Sequence, residues 1–472
     1  MKRLHSTFFV FSILLIFLLF FIAPMDTDLG WHLRYGQYFS ETGNFLKINT
    51  LTYFMPGYFW SNSYTLYQIF IFLVYRLFGL FGLSFLNSLI FVLAFIFFNK
   101  INPKYPKINL ILFLVLAFLG RNVFGLGLRA QEFTFLFLII EFFLLKNSQK
   151  ENKYLFLLIP LFILWVNFHG AFILGFILVF AYLLNQVLYK NFKKIPATIV
   201  FLILSVLSAM INPYGINVYF GVIKLTFNPL NTLVSEWVSP GFIVKIILIG
   251  LFILYSYFSI KSKNKNKFFW IIVLSAFLYL SFSAVRNLVL YFLIISLSFI
   301  DLKEDLIFKL ENSKLLNKFN SLILFYIFLI PLCFQIPKTF DIDFNWESFC
   351  RKGYLKYPCK AVDYIKSSNI PGQNVFSYYE WSGFLEWQLP NYKFFIDGRA
   401  PAWETTEGII PNQIYDEIIL AEQGYQEKLE KYHTNWLLIP VNSYLDYELQ
   451  QESNKYWRQI YRDNISVIYV TN

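Results

Sequence analysis

"FFVFSILLIFLLFFIAPMDTDLGWHLRYG" (residues 8–36) joins a long apolar run to a short stretch crowded with ionisable side chains. The apolar run follows Lys2 and Arg3 and can cross a bilayer as a helix, which takes about 20 residues. It is long for the apolar core of a signal peptide, and no small-x-small cleavage site follows it. We therefore predict an uncleaved anchor with a cytoplasmic N-terminus, after which the ionisable stretch begins the first outer loop.

The composition extends this membrane pattern to most of the chain. Of its 472 residues 57% are hydrophobic, and repeated apolar runs alternate with short lysine-rich loops, which predicts a polytopic α-helical membrane protein. Residues 337–472 hold 13 Lys and Arg against 18 Asp and Glu, so this region is net acidic. The net charge of +11 therefore comes from the rest of the chain, mostly from those lysine-rich loops. Basic loops of this kind mark the cytoplasmic side of the bilayer, so we exclude nucleic acid as a partner.

Four lysine-rich loops fix the predicted topology. They cover residues 99–107, 146–153, 189–194 and 261–267. If all four are cytoplasmic, the apolar runs between them cross in pairs, and we expect about eleven transmembrane helices with the N-terminus inside and the C-terminus outside. Only one crossing then fits between the first outer loop and residue 99. We therefore expect residues 64–80 to lie in the interface or re-enter, residues 84–98 to cross, and "FGLFG" (78–82) to separate them.

The chain divides into two predicted domains. Residues 1–336 form the transmembrane domain, which includes the first outer loop (25–83), a polar inner segment (301–320) and a last crossing at 321–336. Residues 337–472 form a small extracytoplasmic α/β domain, because strand patterns alternate with helix patterns. The predicted strands are 374–378, 392–399, 435–441 and 465–470, and the predicted helices are 360–368, 412–432 and 442–451. Cys350 and Cys359 either form a disulfide there or remain free thiols.

Polar side chains of the transmembrane domain gather at the predicted outer ends of its helices. The acidic ones are Asp26, Asp28, Glu41, Glu132 and Glu236, and the same face receives His32, Arg34, Arg129, Gln131, Asn167, His169, Trp237 and Arg286. Ionisable groups at membrane depth are costly unless they are paired or hydrated, so their concentration on one face predicts a functional site. The alternative is that the outer loops are simply polar and that the charges pair to close the helix bundle.

Asp26 and Asp28 flank Thr27 in an Asp-x-Asp arrangement. Such a pair can hold a divalent cation, or one member can act as a general base; the metal question stays open. Asp28 can instead cap the helix that begins at Leu29. His32 and Arg34 follow on that helix, and Arg34 can neutralise a phosphate or pair with an acid such as Asp28 or Glu41.

Further candidates lie at outer turns. "LWVNFHGAFILG" (164–175) places Asn167 and His169 between two crossings, although an isolated buried histidine is more often structural. "SEWVSP" (235–240) sets Glu236 beside Trp237, a carboxylate next to an aromatic ring, as carbohydrate sites often have. Arg286 in "AVRNL" (284–288), together with Arg129, supplies cations suited to a lipid-linked phosphate.

The C-terminal domain contains two less specific features. Asp397-Gly398-Arg399 follows an apolar strand, and "EWSGFLEW" (380–387) offers Trp381 and Trp387. They form either a strand-end turn and a packed aromatic pair, or a binding site for an acceptor or a glycan.

Several of these motifs occur together in one group of prokaryotic membrane proteins. They are "DTDLGWHLRYG" (26–36), "LWVNFHGAFILG", "NPYG" (212–215), "SEWVSP", "VRN" (285–287), "YYEWSGFLEW" (378–387) and "FFIDGR" (394–399). The chain resembles that group over nearly its whole length, and the group is similar to the GT-C superfamily of membrane glycosyltransferases, including protein O-mannosyltransferase and aminoarabinose-transferase types. The chain departs from the group at Gly30-Trp31, where paired tryptophans are expected, and at Arg129-Ala130-Gln131, where Arg-Pro-Gln is usual.

The resemblance implies a reaction and a place for it. GT-C enzymes carry an acidic motif in the first outer loop, where Asp26 and Asp28 fall, and interfacial helices often follow. Such enzymes pass a sugar from a polyprenyl-phosphate donor to an acceptor on the outer face, usually with inversion. Asp28 or Asp26 then takes the acceptor proton, and the leaving phosphate is stabilised by cations such as Arg129 and Arg286, with His169 and Arg34 as further candidates.

Two other functions fit the same residues. A flippase for lipid-linked sugars would also use outward-facing arginines and carboxylates, but polar residues at mid-membrane and internal repeats are expected of it. A non-catalytic assembly protein would keep the scaffold for its outer domain. The sequence does not identify the sugar, and the acceptor can be a protein, a lipid or a glycan.

Overall fold

The structure, a computed structural model, describes residues 2–226, 235–261, 265–301, 345–346, 350, 356–405, 408, 410–451 and 456–472. The chain forms two compact units, each assembled from segments that are distant in sequence. The first comprises Met1–Pro24, Phe81–Gly215 and Thr232–Ile342, and the second comprises Met25–Leu80, Ile216–Asn231 and Asp343–Asn472. The predicted domain boundary at residues 336 and 337 lies outside the described residues.

Helices dominate the chain as far as Asp301. In chain order they are α1 (Lys2–Phe20), α2 (Leu29–Thr42), α3 (Thr65–Ile101), α4 (Pro106–Leu119), α5 (Arg121–Phe124), α6 (Ala130–Ser148), α7 (Lys153–Phe156), α8 (Leu158–Phe168), α9 (Ile173–Leu188), α10 (Ile195–Ser208), α11 (Asn217–Thr226), α12 (Phe242–Lys261), α13 (Lys267–Ser283) and α14 (Leu288–Asp301). Short 3₁₀ helices at Gly170–Phe172, Ser235–Trp237 and Val285–Asn287 precede α9, α12 and α14. The apolar runs between the four lysine-rich loops are helical, as predicted, whereas α11 was not predicted.

Within the described residues, three helical segments are long and apolar enough to cross a membrane. They are Thr65–Ile101, Gly170–Leu188 and Phe242–Lys261, and shorter apolar helices occur at Thr7–Phe20, Pro106–Leu119, Lys153–Phe168, Ile195–Ser208 and Lys267–Ser283. In α12 the side chains of Phe242 and Ile243 are 76% and 73% exposed, an apolar surface that suits lipid contact. The count of eleven crossings stays a prediction, and the last of them, at 321–336, lies outside the described residues.

The long helix α3 is interrupted where the sequence predicted a break. Gly79 has φ 61° and ψ −156°, a backbone conformation that a residue with a Cβ rarely adopts. The two compact units also divide close to this point, between Leu80 and Phe81. The break is therefore confirmed, while the interfacial position of residues 64–80 stays a prediction.

The C-terminal residues form a small sheet flanked by helices. Its strands are β1 (Asn374–Ser377), β2 (Lys393–Phe394), β3 (Trp436–Pro440), β4 (Trp457–Arg462) and β5 (Ser466–Thr471), in the spatial order β2-β1-β3-β5-β4. β1 is parallel to β2 and β3, and β5 is antiparallel to β3 and β4. The helices are α15 (Cys359–Ser367), α16 (Ser382–Gln388), α17 (Pro411–Ile419), α18 (Tyr425–Lys431) and α19 (Tyr444–Leu449). The sequence-based prediction of a small C-terminal α/β fold is thereby confirmed.

Two local predictions for this region were wrong, and two elements, strand β4 and helix α16, were not predicted. The strand expected at 392–399 has only two residues, because the chain turns after it. The helix expected at 412–432 is two helices, separated by a turn in which Gly424 has φ 86°. Strand β4 was missed, since its sequence "WRQIYR" is half polar and its polar and apolar residues do not alternate. Cys350 and Cys359, left open by the sequence, are joined in a disulfide.

The first outer loop completes the sheet of the second unit. The backbone N–H groups of Tyr53 and Phe54 donate to the carbonyls of Phe394 and Phe395 at 3.0 and 3.3 Å, so the loop pairs with the β2 edge. The rings of Tyr53 and Phe54 are buried in the same core as Phe395, whose ring centroid lies 5.0 Å from that of Phe54. Residues that follow β2 are therefore brought next to residues of the first outer loop.

Candidate active site

The predicted site residues fall into two groups, one in each compact unit. The second unit contains Asp26, Asp28, His32 and Arg34, and the first contains Arg129, Gln131, Asn167, His169, Glu236, Trp237 and Arg286. Each group is described by itself.

Asp28 stands directly before α2 but does not cap that helix with its side chain. Its Oδ1 instead accepts a hydrogen bond from the indole Nε1 of Trp31 at 3.0 Å. Trp31 is itself almost fully buried, so the indole is fixed by its neighbours. The capping alternative raised by the sequence is thus not realised, and the carboxylate is oriented by a tryptophan.

Glycines of the C-terminal domain lie against the acidic segment. A methyl group at position 398 would overlap Oδ1 of Asp28 and come within 2.8 Å of its Cγ, so only glycine fits there without displacing the carboxylate. At Gly383 a methyl group would overlap the carbonyl oxygen of Thr27, and at Gly30 it would overlap the carbonyl of Gly383. Because these three positions lack a side chain, residues 27–30 pack closely against α16 and the turn after β2.

The turn after β2 contains a fully buried ion pair. Nε of Arg399 donates to both carboxylate oxygens of Asp397 at 2.9 Å, and the two side chains have no exposed area. Nη1 of Arg399 donates to the hydroxyl of Tyr35, and Nη2 donates to Oδ1 of Asn49 at 3.4 Å. The guanidinium thereby joins the C-terminal turn to α2 and the first outer loop.

Glu386 adds a buried carboxyl group beside this ion pair. Burial, followed by the charge of Asp397 and a hydrogen bond to it, raises the pKa of Glu386 well above its usual range, and Arg399 and Arg34 oppose the rise only in part. Burial and the neighbouring carboxylate of Asp397 therefore favour the protonated form of Glu386. Sequence reasoning left it out; an acid among "SGFLEW" carries no local sign of burial.

Arg34 and His32 lie on α2 in different surroundings. Nη1 of Arg34 donates to Oε1 of Gln37 at 2.9 Å, and burial lowers the pKa of Arg34 against the opposing charges of Glu386 and Glu41. The buried ring of His32 lies 3.2 Å, through Nδ1, from Nε2 of Gln68 and stacks on Trp31 with ring centroids 3.6 Å apart. Arg34 thus lies within reach of the charges of Glu386 and Glu41, whereas His32 packs among aromatic rings.

Asp26 is buried close to Tyr357. Burial raises the pKa of Tyr357, and the negative charges of Asp26, Glu380 and Asp28 raise it further. Asp26 and Asp28 therefore both lie close enough to Tyr357 to affect its ionisation. Over the described part of the chain, no group of three or more His, Cys, Asp and Glu side chains is arranged to hold a metal ion. Asp26 and Asp28 remain the sequence-based candidates for a cation, and no step below is assigned to one.

In the first unit, four predicted residues meet. Nη1 of Arg129 donates to Oε1 of Glu236 at 2.8 Å, and the guanidinium of Arg286 lies 4.6 Å from the ring centroid of Trp237. Burial raises the pKa of Glu236, but the charges of Arg129 and Arg286 outweigh it, so the net pKa is lowered and the group is a carboxylate. A backbone hydrogen bond from Val285 to Val238 joins the two short 3₁₀ helices that carry these side chains.

Two of the remaining predicted residues of the first unit, His169 and Asn167, have structural partners. Nδ1 of His169 lies 2.8 Å from Oγ1 of Thr134, which also accepts from Nε1 of Trp165 at 2.8 Å. Asn167 donates to the carbonyls of Ile163 and Ile211 and so ties the end of α8 to the end of α10. Gln131 is half-buried in the first turn of α6.

The two C-terminal tryptophans singled out by sequence do not pair with each other. Trp381 is buried and donates from Nε1 to the carbonyl of Lys356 at 3.0 Å. The ring of Trp387 is half-buried, with its centroid 5.3 Å from that of Tyr75 and 6.1 Å from that of Trp346. Both rings therefore pack within the second unit.

No protein-family model and no curated protein matches the chain. Solved structures do match it. The archaeal oligosaccharyltransferase AglB from Archaeoglobus fulgidus, in complex with an inhibitory peptide and a dolichol-phosphate, superposes with a TM-score of 0.60 at 12% identity, covering 93% of this chain and 69% of that one. The Archaeoglobus fulgidus oligosaccharyltransferase tethered to an acceptor peptide gives 0.58 at 13% identity, covering 100% and 74%. ArnT from Cupriavidus metallidurans bound to undecaprenyl phosphate gives 0.54 at 11% identity, covering 98% and 97%.

Proposed function

Because the chain has the GT-C fold of membrane glycosyltransferases, as its motifs led us to expect, we propose that it is itself such an enzyme. Its donor is a sugar linked to a polyprenyl phosphate, and its acceptor is a protein, lipid or glycan on the outer face of the membrane. The structures of AglB and ArnT, which contain dolichol-phosphate and undecaprenyl phosphate, support this class of donor.

The observation that carries the proposal is the oriented carboxylate of Asp28. The indole of Trp31 holds Oδ1 at 3.0 Å, and the turn at Gly398 supports the carboxylate from the other protein segment. We assign Asp28 as the general base, with Asp26 as the alternative. Asp28 removes the proton from the acceptor hydroxyl as its oxygen bonds to the anomeric carbon, and the polyprenyl phosphate leaves with the electrons of the broken C–O bond.

The cations of the first unit are assigned to the donor phosphate. Arg129 and Arg286 carry fixed positive charge, and Glu236 and Trp237 hold the two guanidinium groups in place. An arginine presents a planar set of donors to phosphate oxygens, so this arrangement suits a leaving phosphate. Arg34, Gln131, Asn167, His169 and His32 remain candidates for substrate contacts, of which Asn167 and His32 are the most fully engaged within the fold.

Transfer of radiolabelled sugar from native polyprenyl-phosphate donors tests the proposal. We expect membranes containing the wild-type chain to label an acceptor, and Asp28→Asn to lower the rate about 10²- to 10⁴-fold, the usual contribution of a general base. Glu422→Gln, an exposed acid of the C-terminal domain, is the control and should transfer at the wild-type rate. Absence of transfer from every donor, with donor lipid still bound, would favour the flippase or the assembly protein instead.

The proposal also places the C-terminal domain outside the plasma membrane and the N-terminus in the cytoplasm. The Cys350–Cys359 disulfide supports an oxidising surrounding for that domain. In a Cys333→Ser background, a membrane-impermeant maleimide should label Glu448→Cys in intact cells. The same reagent should label Glu151→Cys only after permeabilisation, and the opposite pattern would reverse the assigned orientation.

A further inference from the structure

The turn Asp397-Gly398-Arg399 takes no chemical step in the mechanism above, and its closest contacts are with the proposed base. The three nearest atoms to a methyl group placed at position 398 are Oδ1, Cγ and Oδ2 of Asp28, the last two at 2.8 and 3.1 Å. The contact is therefore with the carboxylate itself. A different kind of contact occurs at Gly383, where the nearest atoms belong to the backbone of Thr27.

The position of Gly398 is fixed on both sides. Asp397 and Arg399 form the buried ion pair, and the backbone N–H of Arg399 donates to Oδ1 of Asp397 at 2.9 Å. Arg399 is in turn held by Tyr35 on α2 and by Asn49 in the first outer loop. A buried charge pair with all its partners in place resists displacement, because moving one member leaves the other uncompensated.

We infer that Gly398, held by the Asp397–Arg399 pair, is a positioning residue for Asp28, so that the C-terminal α/β domain sets the geometry of the acidic site. The inference rests on the proposed function for the role of Asp28 as the base. Trp31 fixes the carboxylate through a hydrogen bond, and the glycine lets the turn pack against that carboxylate without displacing it. The C-terminal domain is then a part of the catalytic centre and not only a platform for acceptors.

A double-mutant cycle on thermal unfolding tests the contact without any assay of activity. The wild type, Gly398→Ala, Asp28→Ala and the double variant are compared as full chains in detergent. We expect Gly398→Ala to lower the unfolding midpoint in the wild-type background and to have little effect in the Asp28→Ala background, where the clashing atoms are gone. If Gly398→Ala cannot be purified but the double variant can, that rescue supports the contact equally.

Gly383→Ala is the matched control for the cycle. Its methyl group would meet the carbonyl of Thr27, which Asp28→Ala does not remove, so its penalty should be the same in both backgrounds. Equal penalties for Gly398→Ala in the two backgrounds would overturn the inference.

The transfer assay then tests the consequence for catalysis. A displacement of about 1 Å at a reacting group can cost about 100-fold in rate, so we expect Gly398→Ala to lower kcat about 100-fold with little change in the KM of the donor. Gly250→Ala, in a position with open space around it, should leave both constants unchanged. A wild-type kcat in folded Gly398→Ala would refute the positioning role. An inactive wild type would refute the proposed function, while the thermal cycle would still decide the contact.

Discussion

Nη1 of Arg129 donates to Oε1 of Glu236 at 2.8 Å, joining the start of α6 to the 3₁₀ helix before α12. The arginine side chain is 9% exposed and the glutamate 33%, so the pair lies at the edge of the protein interior. Arg286 acts on the same carboxylate and packs on the neighbouring Trp237. Two cations around one acid leave a net positive charge, which is the charge that an anionic ligand requires.

Replacing Arg129 tests whether this net positive charge contributes to binding of the donor phosphate. Arg129→Ala leaves Glu236 with one cation fewer and removes a donor for the phosphate, so we expect the KM of the polyprenyl-phosphate donor to rise about tenfold or more. Arg121→Ala, an exposed arginine shortly before it, is the matched control and should keep the wild-type KM. An unchanged KM in Arg129→Ala would remove this residue from the donor site.

The indole of Trp31 can be tested separately from its bulk. Trp31→Phe keeps an aromatic ring but removes the hydrogen bond to Asp28, a bond to a charged group worth about 1.5–3 kcal/mol. We expect kcat for transfer to fall about 10- to 100-fold with the donor KM unchanged. Trp457→Phe removes an indole bond to Gln426 elsewhere in the unit and should keep its rate. Equal rates for the two variants would contradict an orienting role of Trp31.

The ion pair of Asp397 and Arg399 predicts a large loss of stability. Arg399→Ala would leave a fully buried carboxylate without its cation, a change that typically costs about 3–5 kcal/mol. Denaturant unfolding of the full chain should show a correspondingly lower midpoint. The comparison variant is Arg462→Ala, whose partner Asp446 is buried but whose own side chain is 29% exposed, and we expect a smaller loss there. A larger loss for Arg462→Ala would contradict this ranking.

Glu386 predicts a dependence of stability on pH. Its pKa is raised in the folded protein, whereas in the unfolded chain it titrates near its ordinary value of about 4.3. Between these two values the folded state holds a proton that the unfolded state has released, so its contribution to stability is full at low pH and is lost as pH rises toward the folded pKa.

The corresponding measurement is the unfolding midpoint of the wild type and of Glu386→Gln across pH 5 to 8. We expect the variant, which keeps a hydrogen-bond donor but cannot ionise, to lose part of the wild-type decline with rising pH. Glu448→Gln, an exposed acid on α19, should follow the wild-type curve. Identical curves for the wild type and Glu386→Gln would show that Glu386 is not protonated in the folded state.

Local signals in the sequence identified most of the secondary structure. Long apolar runs gave the positions of α9 and α12, because a lipid-facing helix needs apolar residues on most of its surface. Gly79 marked the break in α3, since the conformation there requires glycine. By contrast, β4 was missed: it lies at the edge of the sheet, and its polar and apolar residues lack the alternation of a half-buried strand.

The sequence by itself determined that this chain is a helical membrane protein with a small C-terminal α/β fold, and it singled out Asp28, Arg129, Glu236 and Arg286 by residue type and position. Only the tertiary structure decided which groups meet. Tyr35 and Arg399 are 364 residues apart in the chain, and Gly398 reaches Asp28 only because the first outer loop pairs with β2. Hydropathy and turn patterns act over a few residues, whereas contacts across such distances depend on how the whole unit packs, and burial of Glu386 follows from that packing alone.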